Sequence, residues 1–248
     1  MHVSAFPYSV PKIGNSSEEY EDAYWPSDTV DSECEFVRFA VADGASETSY
    51  SGVWGRLLVE AYCKGELYGS AMAESLYHLR ATWKGTVGAR PLPWYAEEKI
   101  RSGAFSSLIG LTLQESRLPL GAIGTWVATA IGDSCLFQVS DDELITHFPL
   151  FHSEQFNRGP TLLSTDASSN EFLSRHVLNL AGEWKAGDTF YLMTDALACW
   201  FLKEVEDGEK PWKIKRATQE MFEAWIAKLR QDGVMRNDDV TMFRIEPC

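Results

Sequence analysis

Acidic side chains are where this sequence holds its chemistry. Glu21-Asp22 precedes a small apolar patch, Asp43 closes the run "FAVA", Asp133 follows Gly132 at an expected hairpin tip, Asp195 ends "FYLMT" and Asp238 opens the final expected strand. One aspartate at a strand end is a turn residue, since its side chain bonds the nearby backbone, and Asp43-Gly44 alone says no more than that. Five such places suggest a shared rim. Carboxylates gathered there with little positive charge between them repel one another, and their pKa values rise unless a cation intervenes. Hard divalent cations take oxygen ligands, and two of them bridged by a carboxylate and a hydroxide can activate that water for attack on phosphorus. Magnesium or manganese fits this donor set, whereas zinc would call for His or Cys. His2, His78, His147, His152 and His176 have no ligand-like spacing. Cys34, Cys63, Cys135, Cys199 and Cys248 are odd in number and lack any Cys-x-x-Cys pair, which points to small core residues and away from a disulfide framework.

The elements that must position these carboxylates can be read from periodicity. Residues 36 to 43 read as a strand buried on at least one face, and Val53, Trp54, Leu57, Leu58, Ala61 and Tyr62 mark one side of a helix ended by Gly65. Met72, Leu76, Leu79 and Trp83 predict a second helix over about 69–84, broken by "KGTVGARPLP". A third helix is expected from Tyr95 into "GAFSSLIGLTLQ", where the pattern becomes a strand. "TWVATAIGDSCLFQVSDDELITHF" reads as a meander, "DTFYLMTDA" as a strand, Ile214, Ala217, Met221, Trp225 and Leu229 as a long helix, and "DVTMFRIE" as the last strand. Strands and helices in blocks favour α+β over a parallel doubly wound sheet.

At 248 residues, with 45% hydrophobic, 12% aromatic and 23% charged residues, the chain can bury a substantial core, and without repeats or a long linker it reads as one domain over 1–248. No apolar run approaches the roughly 20 residues of a membrane span, and "MHVSAFPYSVPK" lacks the layout of a secretory signal, so a cytoplasmic protein without membrane contact is expected. The formal net charge of −14 repels a phosphate backbone and argues against nucleic-acid binding. Trp54, Trp83 and Trp225 lie on helical apolar faces and are expected in the core.

The blocks "GNSSEEYEDA", "FAVADGA", "GAFSSLIGLTL", "VATAIGDSCLFQV", "FYLMTDALACWFL" and "NDDVTMFRI" occur in the order of the motifs of the protein phosphatase 2C family, which the chain resembles from about residue 10 onward, with little likeness over 141–180. The resemblance implies a central β-sandwich of two antiparallel sheets flanked by helices, with a metal cluster at one end. Position by position, Asp43 resembles the carboxylate that bridges two metals and Gly44 the residue whose carbonyl binds one of them. Glu21 matches the acidic ligand of the second metal, and Asp22 a neighbour that holds a metal-bound water. Asp195 and Asp238 match the remaining ligands of the first metal, and Asp133 a residue linked to a third, weaker one.

The activity that this resemblance implies is hydrolysis of phosphoserine or phosphothreonine in a phosphorylated protein, by direct attack of a water activated at two Mn²⁺ or Mg²⁺ ions. The departures are specific. Where the family often has a phosphate-gripping arginine stands Ser17, leaving Lys12 as the nearby cation, and Cys199 stands where many members have another aspartate. The alternative from a different class is a pseudophosphatase that binds phosphoproteins without turnover. A metal-dependent nuclease is disfavoured by the acidic charge.

Overall fold

A computed structural model of the chain describes residues 1–45, 50–67, 72–88, 103–116, 123–171, 173–213 and 217–248. Two antiparallel sheets dominate it. One has six strands in the order β3-β1-β13-β12-β8-β9, formed by β1 (His2–Val10), β3 (Val30–Glu33), β8 (Cys135–Ser140), β9 (Glu143–Phe148), β12 (Thr189–Met193) and β13 (Val240–Pro247). The other has five in the order β11-β7-β6-β4-β2, from β2 (Ala23–Trp25), β4 (Phe36–Ala42), β6 (Leu108–Glu115), β7 (Gly124–Ile131) and β11 (Leu178–Trp184). A two-stranded piece pairs β5 (Phe105–Ser106) with β10 (Leu163–Ser164). The chain is therefore α+β, a β-sandwich flanked by helices, as expected.

Between the sheets lies a core in which Val3, Phe39, Ile109, Trp126, Phe190 and Phe243 pack together. Helix α1 (Ser51–Cys63) and α2 (Met72–Gly88) cover the five-stranded sheet, burying Trp54, Leu58 and Trp83. Helix α3 (Asp195–Glu206) and α4 (Gln219–Gln231) cover the other, with Phe201, Phe222 and Ile226 buried and Trp225 partly so. Gly110 in β6 is needed for this layering, because a Cβ there would lie 2.3 Å from the Tyr62 ring of α1.

Several expected boundaries move. Helix α2 continues past Lys84 to Gly88, since Trp83 and Val87 are one turn apart and both buried. The helix expected from Tyr95 begins in 89–102, outside the described residues. The last helix starts at Gln219, where the Thr218 hydroxyl accepts the N–H of Met221 and caps the first turn, while Ile214 lies outside the described residues. The expected meander is not one: β7 and β8 belong to different sheets, so Gly132-Asp133-Ser134 is a crossover between layers and not a hairpin tip. The true hairpin is β8–β9, turned by Asp141 and Asp142, both at positive φ. Cys135 is the one buried cysteine, Cys34, Cys63 and Cys199 are partly buried, Cys248 is exposed, and all five are free.

Candidate metal centre

The strand ends bring three carboxylates to one place. Oxygen atoms of Asp43, Asp133 and Asp195 all lie within 4.8 Å of one another. Asp43 arrives from the five-stranded sheet, Asp195 from the six-stranded one, and Asp133 from the crossover that joins them. Each is fixed by its backbone. The Asp43 carbonyl accepts the Ser107 N–H at 2.8 Å and the Ser106 hydroxyl at 2.9 Å, while its N–H donates to Ser107 Oγ at 3.1 Å. Asp195 is the first residue of α3, where the helix dipole favours a negative charge. Thr194 before it is tied to Thr241 at the start of β13, accepting the Thr241 N–H at its hydroxyl at 2.9 Å.

Glu21, Gly44 and Asp238 surround this group. Glu21 accepts from Ser51 Oγ at 2.8 Å and pairs with Lys12 Nζ at 3.2 Å. Gly44 is pressed against the same turn: a Cβ on it would come within 2.6 Å of the Glu21 carbonyl oxygen and 2.9 Å of Ser51 Cβ. Among the described residues the Gly44 carbonyl accepts no hydrogen bond, because Gly44 meets Ser106 as the non-bonded position of a bridge. Asp238 lies two residues before β13, its carboxylate 3.7 Å from Arg236 Nε, and its field raises the pKa of both Asp43 and Asp133.

The electrostatics are those of crowded anions. Burial, then Asp133 and Asp238, pushes the Asp43 carboxyl well above its ordinary value. Burial, then Asp43 and Asp239, does the same to Asp22. Asp133 is raised by burial, with backbone hydrogen bonding and Arg236 opposing. Asp22 Oδ2 accepts the Thr241 hydroxyl at 2.9 Å, whereas Asp22 Oδ1 and Asp195 Oδ1 are buried with no hydrogen-bond partner. Buried unpartnered carboxylate oxygens are costly, and the metal-ligand candidates gathered here offer oxygen donors. Such a set suits Mn²⁺ or Mg²⁺, so the residues present fit the ions that the fold implies.

Other residues complete the site without having been singled out in the sequence. Asp239 accepts the N–H of Lys12 and of Glu21, each at 2.8 Å, and so ties both segments to β13. Arg236 forms an ion pair with Asp195 and reaches Asp238 as well. Arg230 donates to the Pro11 carbonyl at 3.0 Å and to that of Asp238. The doubled "DD" of "NDDVT" was the available signal for Asp239; an arginine two residues before that pair carried none. Cys199 lies outside the carboxylate group, one turn along α3, with its thiol toward the Ser153 carbonyl at 3.9 Å. Ser17 is exposed in a short 3₁₀ turn.

No family model matches the sequence, and no curated protein matches it. Solved structures match it along its length. The serine/threonine phosphatase PstP/Ppp of Mycobacterium tuberculosis aligns over 99% of this chain and 99% of its own, with a TM-score of 0.59 at 15% identity. The photosystem II phosphatase PBCP does so over 99% of both chains, with a TM-score of 0.56 at 13% identity. The catalytic domain of PstP in complex with two manganese ions covers 99% of this chain and 98% of its own, with a TM-score of 0.54 at 16% identity. At these identities what is shared is the fold.

Proposed function

We propose that this chain, which has the fold of protein phosphatase 2C, is a metal-dependent protein serine/threonine phosphatase. One observation carries the reading: Asp43, Asp133 and Asp195 meet within 4.8 Å at the end of the sandwich, with the buried, unpartnered Oδ1 of Asp195 belonging to that group. In this reading Asp43, Gly44 and Glu21 would hold one ion, Asp43, Asp195 and Asp238 another, and Asp133 a third, weaker one. What Mn²⁺ or Mg²⁺ supplies at such a site is Lewis acidity toward a water and positive charge against the phosphate.

The chain's own groups do the positioning. Ser51 and Lys12 orient the two oxygens of Glu21. Asp22, held at Oδ2 by Thr241, presents Oδ1 as a buried acceptor that can align a water or take its proton. Lys12, paired with Glu21, and Arg236, paired with Asp195, are cations that this reading sets beside an incoming phosphate. The substrate in this reading is phosphoserine or phosphothreonine in a protein.

A second reading draws on the same ion pairs. Lys12 with Glu21 and Arg236 with Asp195 balance part of the acidic charge from within the protein, as a pseudophosphatase that binds phosphoproteins without turnover would require. Hydrolysis of p-nitrophenyl phosphate and of a phosphoserine peptide, each with Mn²⁺ and with excess chelator, separates the two. The phosphatase reading expects turnover that chelator abolishes. Binding of the peptide without release of phosphate would establish the second reading.

A further inference from the structure

A pocket of about 240 Å³ opens beside Asp133, between the crossover after β7 and the segment that joins β9 to β11. Its wall includes Gly132, Asp133, Gln155, Arg158, Arg175 and His176. Asp133 is the only carboxylate among the described residues of that wall, against two guanidinium groups and an imidazole. This is unusual company in a chain of formal net charge −14.

The donors are both held and open. Arg158 is exposed, and its side chain makes no hydrogen bond or ion pair among the described residues. The Gln155 side-chain oxygen accepts the N–H groups of Phe151 and His152 at 2.7 and 2.8 Å, which fixes the amide and leaves Nε2 as a donor with no partner among the described residues. The His176 ring is held through Nδ1, 3.3 Å from the Thr161 hydroxyl, so its other nitrogen remains for a ligand. Guanidinium groups pair with carboxylate or phosphate through parallel N–H bonds. Elsewhere the acidic surface repels such anions.

We infer that this pocket receives an anionic side chain of the substrate, a carboxylate or a second phosphate close in sequence to the phosphorylated residue, and so selects acidic phosphopeptides. The inference rests on the phosphatase reading, which places the phosphate at the carboxylate group. Asp133 belongs both to that group and to the pocket wall. An extended peptide advances only about 3.3 Å per residue, so a side chain a few positions from the phosphorylated one reaches Arg158. A lysine in its place meets the Arg158 guanidinium and is repelled.

The test uses fluorescein-labelled peptides in which phosphoserine is replaced by its non-hydrolysable phosphonate, flanked by Glu, by a second phosphonate, by Ala or by Lys. Anisotropy titrations in Mn²⁺ are run on the unmodified chain, on Arg158→Gln and on Arg158→Glu. Glu- or phosphonate-flanked peptides should bind at least about tenfold more tightly than the Ala peptide, as expected for hydrogen bonds to charged groups. Whichever of the two gains more identifies the source of the anion. Arg158→Gln should erase the preference and Arg158→Glu should reverse it in favour of Lys. Equal binding of the Glu, Ala and Lys peptides, or a preference that survives Arg158→Glu, would overturn the inference. Hydrolysis of p-nitrophenyl phosphate, which has no flank, should proceed equally in the unmodified chain and Arg158→Glu. Its complete absence in the unmodified chain would count against the phosphatase reading, while the binding comparison would still decide the pocket.

Discussion

At the scale of single residues, the acidic cluster makes opposite demands on stability and on function. Asp22, Asp43 and Asp133 have folded-state pKa values raised above the ordinary aspartate range, chiefly by burial. Without metal, the folded chain therefore binds more protons than the unfolded one. The stability these groups contribute is fully present below about pH 4, the unfolded value, and is lost as the pH rises through the raised values. Asp43→Asn removes one charge from this repulsion, so in chelator the variant should be more stable than the parent, by a margin that widens from pH 5 to pH 8 in urea denaturation. The same variant should lose on the order of 100-fold or more in metal-dependent hydrolysis, because a group that orders the centre has lost its charge. Near-normal turnover would remove Asp43 from the site. Because metal can bind only deprotonated carboxylates, Mn²⁺ affinity should rise with pH and protons should be released. Calorimetry in two buffers of different ionisation enthalpy measures that release directly, and none at all would mean that these carboxyls are already ionised.

At the scale of elements, the site depends on a close approach between turns. Gly44 after β4 faces the Glu21 carbonyl before β2 and Ser51 at the start of α1. Gly44→Ala places a methyl group where no space exists, and should cost about 1–3 kcal/mol of stability by overpacking. It should also weaken Mn²⁺ binding, since the turn that carries Glu21 must give way. Chemical denaturation and metal titration on one preparation check both, and an unchanged midpoint would show that the turn yields freely. This scale also shows what the sequence made legible. The carboxylates were visible because strand ends and turn residues mark themselves, as Asp43 and Asp195 do. Strand β1 was not, because Pro7 interrupts an otherwise alternating pattern. The register explains its tolerance: β3 pairs only with residues 2–5 of β1, so the missing N–H of Pro7 falls beyond the ladder on that side. The crossover at Gly132 was read as a hairpin because a short link between two apolar runs looks alike whether the strands pair or part. Arg236 gave no local sign of its pairing with Asp195, which lies about forty residues away in the chain.

At the scale of the whole molecule, a formal charge of −14 draws divalent cations from solution and is screened by salt. Mn²⁺ affinity should therefore fall severalfold between low and high NaCl. Bound metal should also hold the two sheets together, because Asp43 directly follows β4 of one, whereas Asp195 follows β12 and Asp238 precedes β13 of the other. At 100 times the dissociation constant one ion adds about 2.7 kcal/mol to the unfolding free energy. The urea midpoint should shift accordingly with Mn²⁺, and a midpoint indifferent to metal would contradict a shared site. The strand order adds a matter of timing. Strand β13, which comes after Asp238 and Asp239, lies between β1 and β12 in the interior of its sheet. As the chain leaves the ribosome, β1 emerges more than two hundred residues ahead of β13, the neighbour that covers its inner edge. Until then neither the acidic site nor the sheet can be complete. On the phosphatase reading, a nascent or prematurely terminated chain is thus a silent one, with no means of stripping phosphate from its surroundings before synthesis has passed β13.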